Sequence, residues 1–522
     1  MSDVTVPGGG IPAGAEERTG SDRASIYDVS TRTDVHFLHK HAVGLLGVLF
    51  LTVTGSAPIS AMLFNVPISV GFGNGVGTPA GFLFATVVLT IFSVGYCTMA
   101  GKITAAGGFY SFISHGLGRE LGMGTAFASV VAYSVFEASL AGGFAYFLNL
   151  KLAQHGVQIR WFWLALGMVG LIAVLTYFDI RFSARLLGLA LVGEIIILII
   201  FDAGIFGQGG HHVTASAINP IEAFKGFPGG GGLAAGGAGV GIFFAFWSWV
   251  GFEMAPNYAE ESKDPKRIVP LSMYISVIGL GIFYTVTSWA VLSGYHSVHE
   301  AASVAQKDSA NFFFIPAKDF LGGWAKDILS YLIITGSFAC GMAFHNTAAR
   351  YFYSLGRERV LPRVLGRTHN RWKSPHVATL TQSAIAAFIV LLFALFTGTH
   401  DPASQAYIQL YGLMAVMGVI IILSVQAVVS LAIWNYFRVN YPQEQHPWKT
   451  ILAPAISFVS QAIVVYLLFK NLNFLGSGYH YANYLGPIDA VVFLVGLAGA
   501  FYWKRRDRAR YEAVGRLINE GI

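Results

Sequence analysis

The sequence predicts an all-α membrane protein whose helices cross the bilayer twelve times. Of its 522 residues, 54% are hydrophobic and only 11% are charged, and the mean hydropathy is +0.59. A soluble domain carries roughly a quarter charged residues, so this composition excludes a water-soluble globule of this size. Twelve apolar runs and a one-sided distribution of Lys and Arg complete the prediction.

Each apolar run approaches the length of a membrane-spanning helix, which needs about 20 residues to cross a hydrocarbon core of about 30 Å. The runs lie at residues 42–70, 79–101, 121–149, 160–178, 183–206, 237–258, 270–294, 326–354, 376–397, 406–436, 449–469 and 486–503. Because the number of crossings is even, both termini lie on the same side of the membrane.

The distribution of Lys and Arg indicates which side that is. Only seven of the 33 basic residues fall on the side opposite the termini, and the other 26 share the side of the termini. The seven are Lys151, Arg160, Lys225, Lys307, Lys318, Lys326 and Lys470. Basic residues accumulate on the cytoplasmic side, so we expect both termini to be cytoplasmic, in a plasma-membrane protein. Because the basic residues lie in short connections between apolar runs, they argue against a nucleic-acid partner.

These boundaries divide the chain into six parts. We expect a disordered cytoplasmic tail (residues 1–40), a first five-helix block (41–206), a Gly-rich outer loop (207–236), a second five-helix block (237–440), helices 11 and 12 (441–503) and a basic cytoplasmic tail (504–522). Cys97 and Cys340 both lie inside apolar runs. The sequence therefore predicts neither a disulfide framework nor a metal site, and no bound cofactor.

Runs 1 and 6 contain residues that interrupt a helix. Run 1 has the sequence GSAP at 55–58, where Pro58 removes a backbone donor and clashes with the preceding turn. Run 6 has WSWVGFE at 247–253, which places Gly251 and the ionisable Glu253 at membrane depth. Within a membrane, a broken helix is tolerated only where it is buried in protein or lines a wet cavity.

The two interrupted runs open consecutive blocks of five helices. Because five is odd, the second block enters the membrane from the opposite side, which makes the blocks an inverted repeat. Interrupted helices at corresponding positions of such repeats indicate the central binding site of a transporter. The N–H groups that begin a half-helix attract an anionic group, and the carbonyls that end the other half suit an ammonium group. An α-amino acid carries both groups.

Three segments of the chain resemble one known family. The segments are FFAFWSWVGFEMAPNYAEESKDPKRIVP (243–270), AAGGFYSFISHGLGRELGMGTAF (105–127) and NTAARYFYSLGRERVLPRVLGRTH (346–369). They are similar to the corresponding segments of amino acid–polyamine–organocation superfamily permeases, and the resemblance spans roughly residues 40–440. It implies a leucine-transporter-type fold of two five-helix inverted repeats, with helices 11 and 12 outside the repeat.

The resemblance also implies roles for residues at both breaks. Gly55, Ser56, Ala57 and Ile59 match the unwound part of helix 1, whose backbone binds the substrate carboxylate in the family. Phe246, Trp247, Ser248 and Gly251 match the helix 6 break, where carbonyls take the substrate amine and an aromatic ring covers the site. Many members have a glycine–small–glycine sequence here, whereas this chain has Ala57-Pro58. This departure leaves the helix broken but bears on the detailed geometry of the carboxylate contact.

Three carboxylates lie within the apolar runs, where an ionisable side chain costs roughly 2.5–3.5 kcal/mol on insertion scales. Glu253 matches an acidic residue that the family uses in proton response or in binding cations. Glu194 takes the place of a helix 5 lysine found in several members, so the lysine mechanism is missing here. It either carries a coupling proton or hydrogen-bonds helix 1 as a neutral acid.

Glu137 on helix 3 follows Tyr133 by four residues, so the two share one helix face. Glu137 either meets a cationic group of the substrate or pairs with a donor on a neighbouring helix. Tyr133 and Trp247 are the aromatic residues that we expect at the site. His345 on helix 8 either reaches the same pocket or is a satisfied structural residue.

The sequence favours a secondary transporter of an amino acid or related amine, driven by a proton or ion gradient or by exchange. A transporter of polyamines or other organic cations on the same fold is an alternative, favoured by Glu137 and Glu253. A channel or a nutrient sensor on the same fold is a second alternative. An embedded enzyme is disfavoured because no HExxH, GxSxG or paired-Asp motif occurs. The exact substrate and the oligomeric state do not follow from the sequence.

Overall fold

Helices form the fold throughout the part of the chain that the structure describes. The computed structural model describes residues 38, 41–103, 107–178, 180–212, 214–226 and 237–515. Within these ranges there is no strand, and one isolated bridge joins Val43 to Ser262. Nearly all of the predicted N-terminal tail (1–40), part of the predicted Gly-rich loop (207–236) and the end of the predicted C-terminal tail (504–522) lie outside the described residues.

The first half of the chain contains nine α-helices before the helix 6 break. They are α1 (Leu45–Val53), α2 (Pro58–Ser60), α3 (Val66–Phe72), α4 (Thr78–Ala100), α5 (Gly108–Leu117), α6 (Arg119–Ala153), α7 (Trp161–Tyr177), α8 (Ile180–Gly207) and α9 (Ala238–Trp247). A π-helical turn, Ala61–Asn65, joins α2 to α3, and a 3-10 helix, Phe252–Glu261, follows α9.

The second half contains ten more α-helices. They are α10 (Pro265–Ser293), α11 (Val298–Lys307), α12 (Phe314–Leu321), α13 (Gly323–Arg357), α14 (His376–Thr397), α15 (Met414–Asn440), α16 (Ala453–Lys470), α17 (Leu472–Leu475), α18 (Leu485–Arg506) and α19 (Arg508–Ala513). Helices α15 and α16 are each preceded by a π-helical stretch, Pro402–Leu413 and Pro447–Leu452.

Eleven helical stretches among the described residues are long and apolar enough to cross a membrane. They are Leu45–Phe72, Gly75–Ala100, Arg119–Ala153, Phe182–Gly207, Ala238–Glu261, Pro265–Ser293, Gly323–Arg357, His376–Thr397, Pro402–Asn440, Pro447–Lys470 and His480–Arg506. The fourth predicted span corresponds to α7, which is apolar but has only 17 residues. The all-α membrane fold is confirmed, and the count of twelve crossings stays a prediction.

The two longest helices, α6 and α13, pack along each other at the centre of the bundle. Helix α1 lies against α8 and α10, α10 packs on α4, and α18 lies against the outside of α6. Peripheral helices keep large apolar side chains exposed, as at Leu189 (74%) and Leu395 (76%). Such a surface is expected where lipid rather than water is the solvent.

Four short helices lie in connections between the predicted spans, where the sequence predicted none. Helix α5 precedes α6, α11 and α12 lie between α10 and α13, and α17 lies between α16 and α18. The α11 sequence VHEAASVAQK is too short and too polar for a membrane span, so a search for long apolar runs passes over it. Its Gln306 amide donates to the Gly71 carbonyl at 2.6 Å, which ties this connection to the end of α3.

Candidate functional site

Helix 1 is broken where the sequence predicts. Helix α1 ends at Val53 and α2 begins at Pro58, which occupies a first-turn position where its missing N–H costs nothing. Between them Ala57 has a φ of +41°, a left-handed conformation that costs a non-glycine residue roughly 1–2 kcal/mol. The predicted interruption at 55–58 is confirmed.

Helix 6 is broken as well. Helix α9 ends at Trp247, and the 3-10 helix begins at Phe252 after Gly251, whose φ is +122°. The two breaks are in contact, because a Cβ atom on Gly251 would lie 2.6 Å from the Ser56 nitrogen and closer still to the Gly55 carbonyl carbon. Only a residue without a side chain allows the two backbones to approach this closely.

Hydrogen bonds join the two breaks to each other and to α10. The Ser56 hydroxyl donates to the Trp249 carbonyl at 3.4 Å, and the Tyr284 hydroxyl donates to the Ser56 carbonyl at 2.9 Å. The Asn65 amide donates to the Ser248 hydroxyl at 2.9 Å. Backbone groups that a regular helix would pair internally are therefore held in fixed positions.

A cavity of about 40 Å³ lies between the breaks and the helices α6, α13 and α15. It is lined by Gly55, Ser56, Ala57, Ser60, Ala61, Asn65, Phe136, Ser139, Leu140, Trp247, Ser248, Val250, Cys340, Phe344, Tyr411 and Ala415. Five predicted site residues are among them: Gly55, Ser56, Ala57, Trp247 and Ser248. The cavity is thus formed where the two interrupted helices meet.

The other predicted site residues lie outside this lining. They are Ile59, Tyr133, Glu137, Glu194, Phe246, Gly251, Glu253 and His345. Ile59 lies just after the helix 1 break, and Gly251 and Glu253 lie at the helix 6 break. Tyr133 donates a hydrogen bond to Glu253. Phe246 is buried in α9. Their roles in substrate binding or coupling stay predictions.

Both carboxylate oxygens of Glu253 are hydrogen-bonded. One accepts from the Gly251 N–H at 2.8 Å, and the other accepts from the Tyr133 hydroxyl at 3.1 Å. The side chain therefore reaches back over the break and caps the start of the 3-10 helix, where a negative charge is favourable. Glu253 connects the helix 6 break to α6.

Glu194 reaches the other break from α8. Its carboxylate accepts a hydrogen bond from the Ile59 N–H at 3.3 Å, at the start of α2. The first N–H groups of a helix have no partner within that helix, so a carboxylate here satisfies an otherwise unpaired donor. The hydrogen bond to helix 1 that the sequence left as one alternative for Glu194 is present.

Glu137 and His345 contact each other outside the cavity lining. The Glu137 carboxylate lies 2.9 Å from His345 Nδ1 and accepts from the Gln382 amide at 2.7 Å, and all three side chains are fully buried. Gln382 in turn accepts from the Ser134 hydroxyl. The alternative in which Glu137 pairs with donors on neighbouring helices, here α13 and α14, is the one that the structure shows.

Two buried Arg–Glu pairs tie the end of helix 6 to α13. The Arg350 guanidinium donates to Glu261 at 2.6 and 2.8 Å, and Arg357 donates to Glu260 at 2.5 and 3.1 Å. The Val43 N–H, which precedes α1, donates to the Glu261 carbonyl at 2.9 Å. Helices 1 and 6 are therefore connected to α13 at this end of the bundle. Across the described ranges, no three His, Cys, Asp or Glu side chains form a metal site.

Comparison with known proteins places the chain in a family. The family described as amino acid permease matches residues 43–495. The chain belongs to the amino acid permease family. It is therefore a multi-pass membrane transporter and not an enzyme, as the sequence predicted.

Several curated relatives of this permease transport different solutes. It is 24% identical to the branched-chain amino acid permease BcaP of Lactococcus lactis, over 62% of this chain and 70% of that protein. It is 22% identical to the low-affinity putrescine importer PlaP of Escherichia coli K12, over 60% and 66% of the two chains. It is also 22% identical to an aspartate-proton symporter of Bacillus subtilis, over 88% and 84%. At these identities the substrate does not follow from any one relative.

The permease brings to the cavity several residues that the sequence did not single out as site residues. Asn65 and Tyr411 lie within apolar runs, and a single sequence does not show which way their side chains face. Ser139 and Phe136 flank Glu137 on α6, and they line the cavity while Glu137 does not. The sequence indicates this cavity-lining face only through spacing: Ser139 and Leu140 follow Phe136 by three and four residues, so the three side chains share one face of the helix.

Proposed function

We propose that this permease moves an amino acid or related amine across the plasma membrane by alternating access, coupled to protons or by exchange. The observation that carries the proposal is the contact between two broken helices around one cavity. Discontinuous helices at the centre of an inverted repeat are the usual substrate site of such transporters. The distribution of Lys and Arg supports cytoplasmic termini.

The breaks offer complementary groups to a zwitterion. The starts of α2 and of the 3-10 helix present the positive ends of helix dipoles, which favour a carboxylate. The ends of α1 and α9 present carbonyl oxygens, which favour an ammonium group. In this proposal, the substrate's α-amino and α-carboxyl groups bridge the ends of the half-helices and the side chain faces α6, α13 and α15.

The two carboxylates that contact the breaks are the proposed coupling groups. Glu194 holds the start of α2, and Glu253 holds the start of the 3-10 helix. A protonated carboxyl is a weaker acceptor than a carboxylate, because charge-assisted hydrogen bonds are about twice as strong. Protonation would therefore loosen the half-helices, and with them the occluded arrangement. The aspartate-proton symporter among the relatives supports a proton as the coupling ion.

Transport itself is proposed to be a movement of the two broken helices 1 and 6, together with α4 and α10 (helices 2 and 7), against the remaining helices. The buried Arg350–Glu261 and Arg357–Glu260 pairs connect helix 6 to α13 on one side of the bundle. These pairs would have to separate, at least in part, when the cavity opens to that side. Arg and Glu that separate into a water-filled path regain hydration, which offsets the lost ion pair.

Purified permease in liposomes provides the test. We expect saturable uptake or counterflow of at least one amino acid, stimulated by an inward proton gradient or by unlabelled substrate inside. Countertransport distinguishes a carrier from a channel or a non-transporting sensor. The absence of uptake and exchange for every amino acid and polyamine tested, under all gradients, would overturn the proposal.

The runner-up is a polyamine importer, which one relative's name favours. The two carboxylates that suggested this substrate class, Glu137 and Glu253, are both engaged with protein donors outside the cavity lining. Competition by putrescine against labelled amino acids in the same liposomes separates the two functions.

A further inference from the structure

The polar groups of the cavity are all uncharged. The polar side chains that line it are Ser56, Ser60, Asn65, Ser139, Ser248, Trp247, Cys340 and Tyr411. Among the described residues, no Asp, Glu, Lys, Arg or His lines the cavity. A charge that enters a site without a counter-charge loses its hydration and gains nothing comparable in return. The backbone ends of the breaks offset the two charges of an α-amino acid but no third charge.

Two of these lining atoms have no hydrogen-bond partner among the described residues. They are the Ser60 hydroxyl and the side-chain oxygen of Asn65, and both residues are at least 97% buried. Buried polar atoms are nearly always paired, so two unpaired ones on residues that line a cavity are candidates for contacts with a bound molecule. Both lie on the second half of helix 1, one turn apart.

The orientation of the Asn65 amide follows from its neighbours. The Ser248 hydroxyl donates to the Phe244 carbonyl at 2.8 Å, so its single hydrogen is used. It can therefore only accept from Asn65, and the group that faces it at 2.9 Å must be the NH₂ group. The Asn65 oxygen is thereby left as a free acceptor, among the described residues, on a residue that lines the cavity.

The remaining wall of the cavity is apolar. Phe136, Leu140, Phe344, Val250 and Ala415 contribute carbon surface from α6, α13, α15 and the helix 6 break. The volume of about 40 Å³ corresponds to roughly three water molecules at 10–15 Å³ each. Small substrates therefore fit with the least displacement of these side chains.

We infer that the cavity takes small neutral amino acids, and that Asn65 and Ser60 contact the bound molecule, with the Asn65 oxygen accepting a hydrogen bond from it. The inference rests on the proposed function, since it names the substrate class of the same site. It separates this permease from importers of diamines and from symporters of acidic amino acids. Glycine, alanine, serine and threonine are the substrates that combine small size with no third charge.

A counterflow panel in liposomes tests the substrate class. Labelled alanine and serine are exchanged in the presence of unlabelled glycine, alanine, serine, threonine, lysine, aspartate or putrescine. We expect the small neutral amino acids to compete, and lysine, aspartate and putrescine to compete at least about tenfold more weakly. Strong competition by any of the charged compounds would overturn the neutral class and leave the proposed transport function intact. Failure of every compound to exchange would overturn the proposed function itself.

Two variants test the assigned residues. Asn65→Asp keeps an acceptor and adds a negative charge, so lysine or putrescine should gain about tenfold in competition relative to alanine. The matched control is Asn149→Asp, which makes the same change at a buried α6 position outside the cavity and should leave the preference unchanged. An unchanged preference in Asn65→Asp would remove Asn65 from the substrate contacts.

Ser60→Ala is a second test of the substrate contacts, chosen because it is expected to fold even if Asn65→Asp does not. Because the Ser60 hydroxyl has no hydrogen-bond partner in the described part of the chain, its removal should leave thermal stability unchanged or raise it. The affinity for serine or alanine should fall about three- to tenfold, as expected for one lost hydrogen bond. A lower unfolding temperature with unchanged affinity would show that the hydroxyl serves the fold and not the substrate.

Discussion

The contact between the two broken helices depends on Gly251, and Gly251→Ala tests it. The substitution adds one methyl group at a backbone whose φ is +122°. That methyl carbon would lie 2.6 Å from the Ser56 nitrogen, below the 3.0 Å that real Cβ atoms essentially never violate. The atoms in the way belong to the backbone, so no side-chain rotation removes the clash.

The expected loss of stability has two sources. A left-handed conformation costs an alanine roughly 1–2 kcal/mol. Inserting a methyl group into a packed contact costs typically 1–3 kcal/mol. Together they predict a loss of about 2–5 kcal/mol in the free energy of unfolding. Since the half-helix ends that form the cavity must separate, transport should also fall by roughly tenfold or more.

Thermal unfolding in detergent and counterflow in liposomes measure the two effects. The matched control is Gly279→Ala in α10, where an added Cβ would meet nothing within 4 Å and the backbone is helical. Alanine is the better helix former, so this control should be neutral or more stable by about 0.5–1 kcal/mol. A Gly251→Ala protein with wild-type stability and transport would refute the close contact of the two breaks.

Three further substitutions have defined outcomes. Glu194→Gln retains an acceptor for the Ile59 N–H but cannot ionise. The protein should therefore fold and exchange substrate, while the pH dependence of net uptake flattens. An unaltered pH profile would contradict the coupling role of Glu194. Ala57→Gly relieves a left-handed residue and should keep transport while raising stability by up to about 1 kcal/mol, and a destabilised protein would be the contrary result. Arg350→Met leaves the buried Glu261 carboxylate without the Arg350 guanidinium. In the same thermal assay it should lower the free energy of unfolding by about 3–5 kcal/mol. A change under about 1 kcal/mol, the size expected for an exposed pair, would contradict a buried ion pair.

The features that the sequence predicts well are those with local causes. Apolar runs of about 20 residues mark spans because lipid is the solvent. Pro58 and Gly251 mark breaks because one lacks a backbone donor and the other lacks a side chain. Both properties belong to single residues and need no knowledge of neighbours. The structure accordingly shows the helix breaks where these residues lie.

The features that the sequence does not predict depend on how helices rotate against each other. In a membrane both faces of a helix are apolar, so hydropathy does not show which face of α6 lines the cavity. Phe136 and Glu137 are neighbours in sequence but point about 100° apart on a helix of 3.6 residues per turn. One lines the cavity and the other pairs with His345. The helices α11 and α12 are missed for a different reason, because they have only ten and eight residues and are too short to be membrane spans.

The native Cys340 offers the most direct test of the substrate site. Its side chain lines the cavity and its thiol donates to the Gly55 carbonyl at 3.3 Å, whereas Cys97, the other cysteine of the chain, lies in α4 outside the cavity. In a Cys97→Ala background, a small thiol-reactive methanethiosulfonate should modify Cys340 while the protein cycles between its open states. A saturating transported amino acid should slow this modification by about tenfold, as expected if substrate and reagent compete for one cavity. A modification rate that does not change with saturating substrate would contradict a binding site between the two breaks.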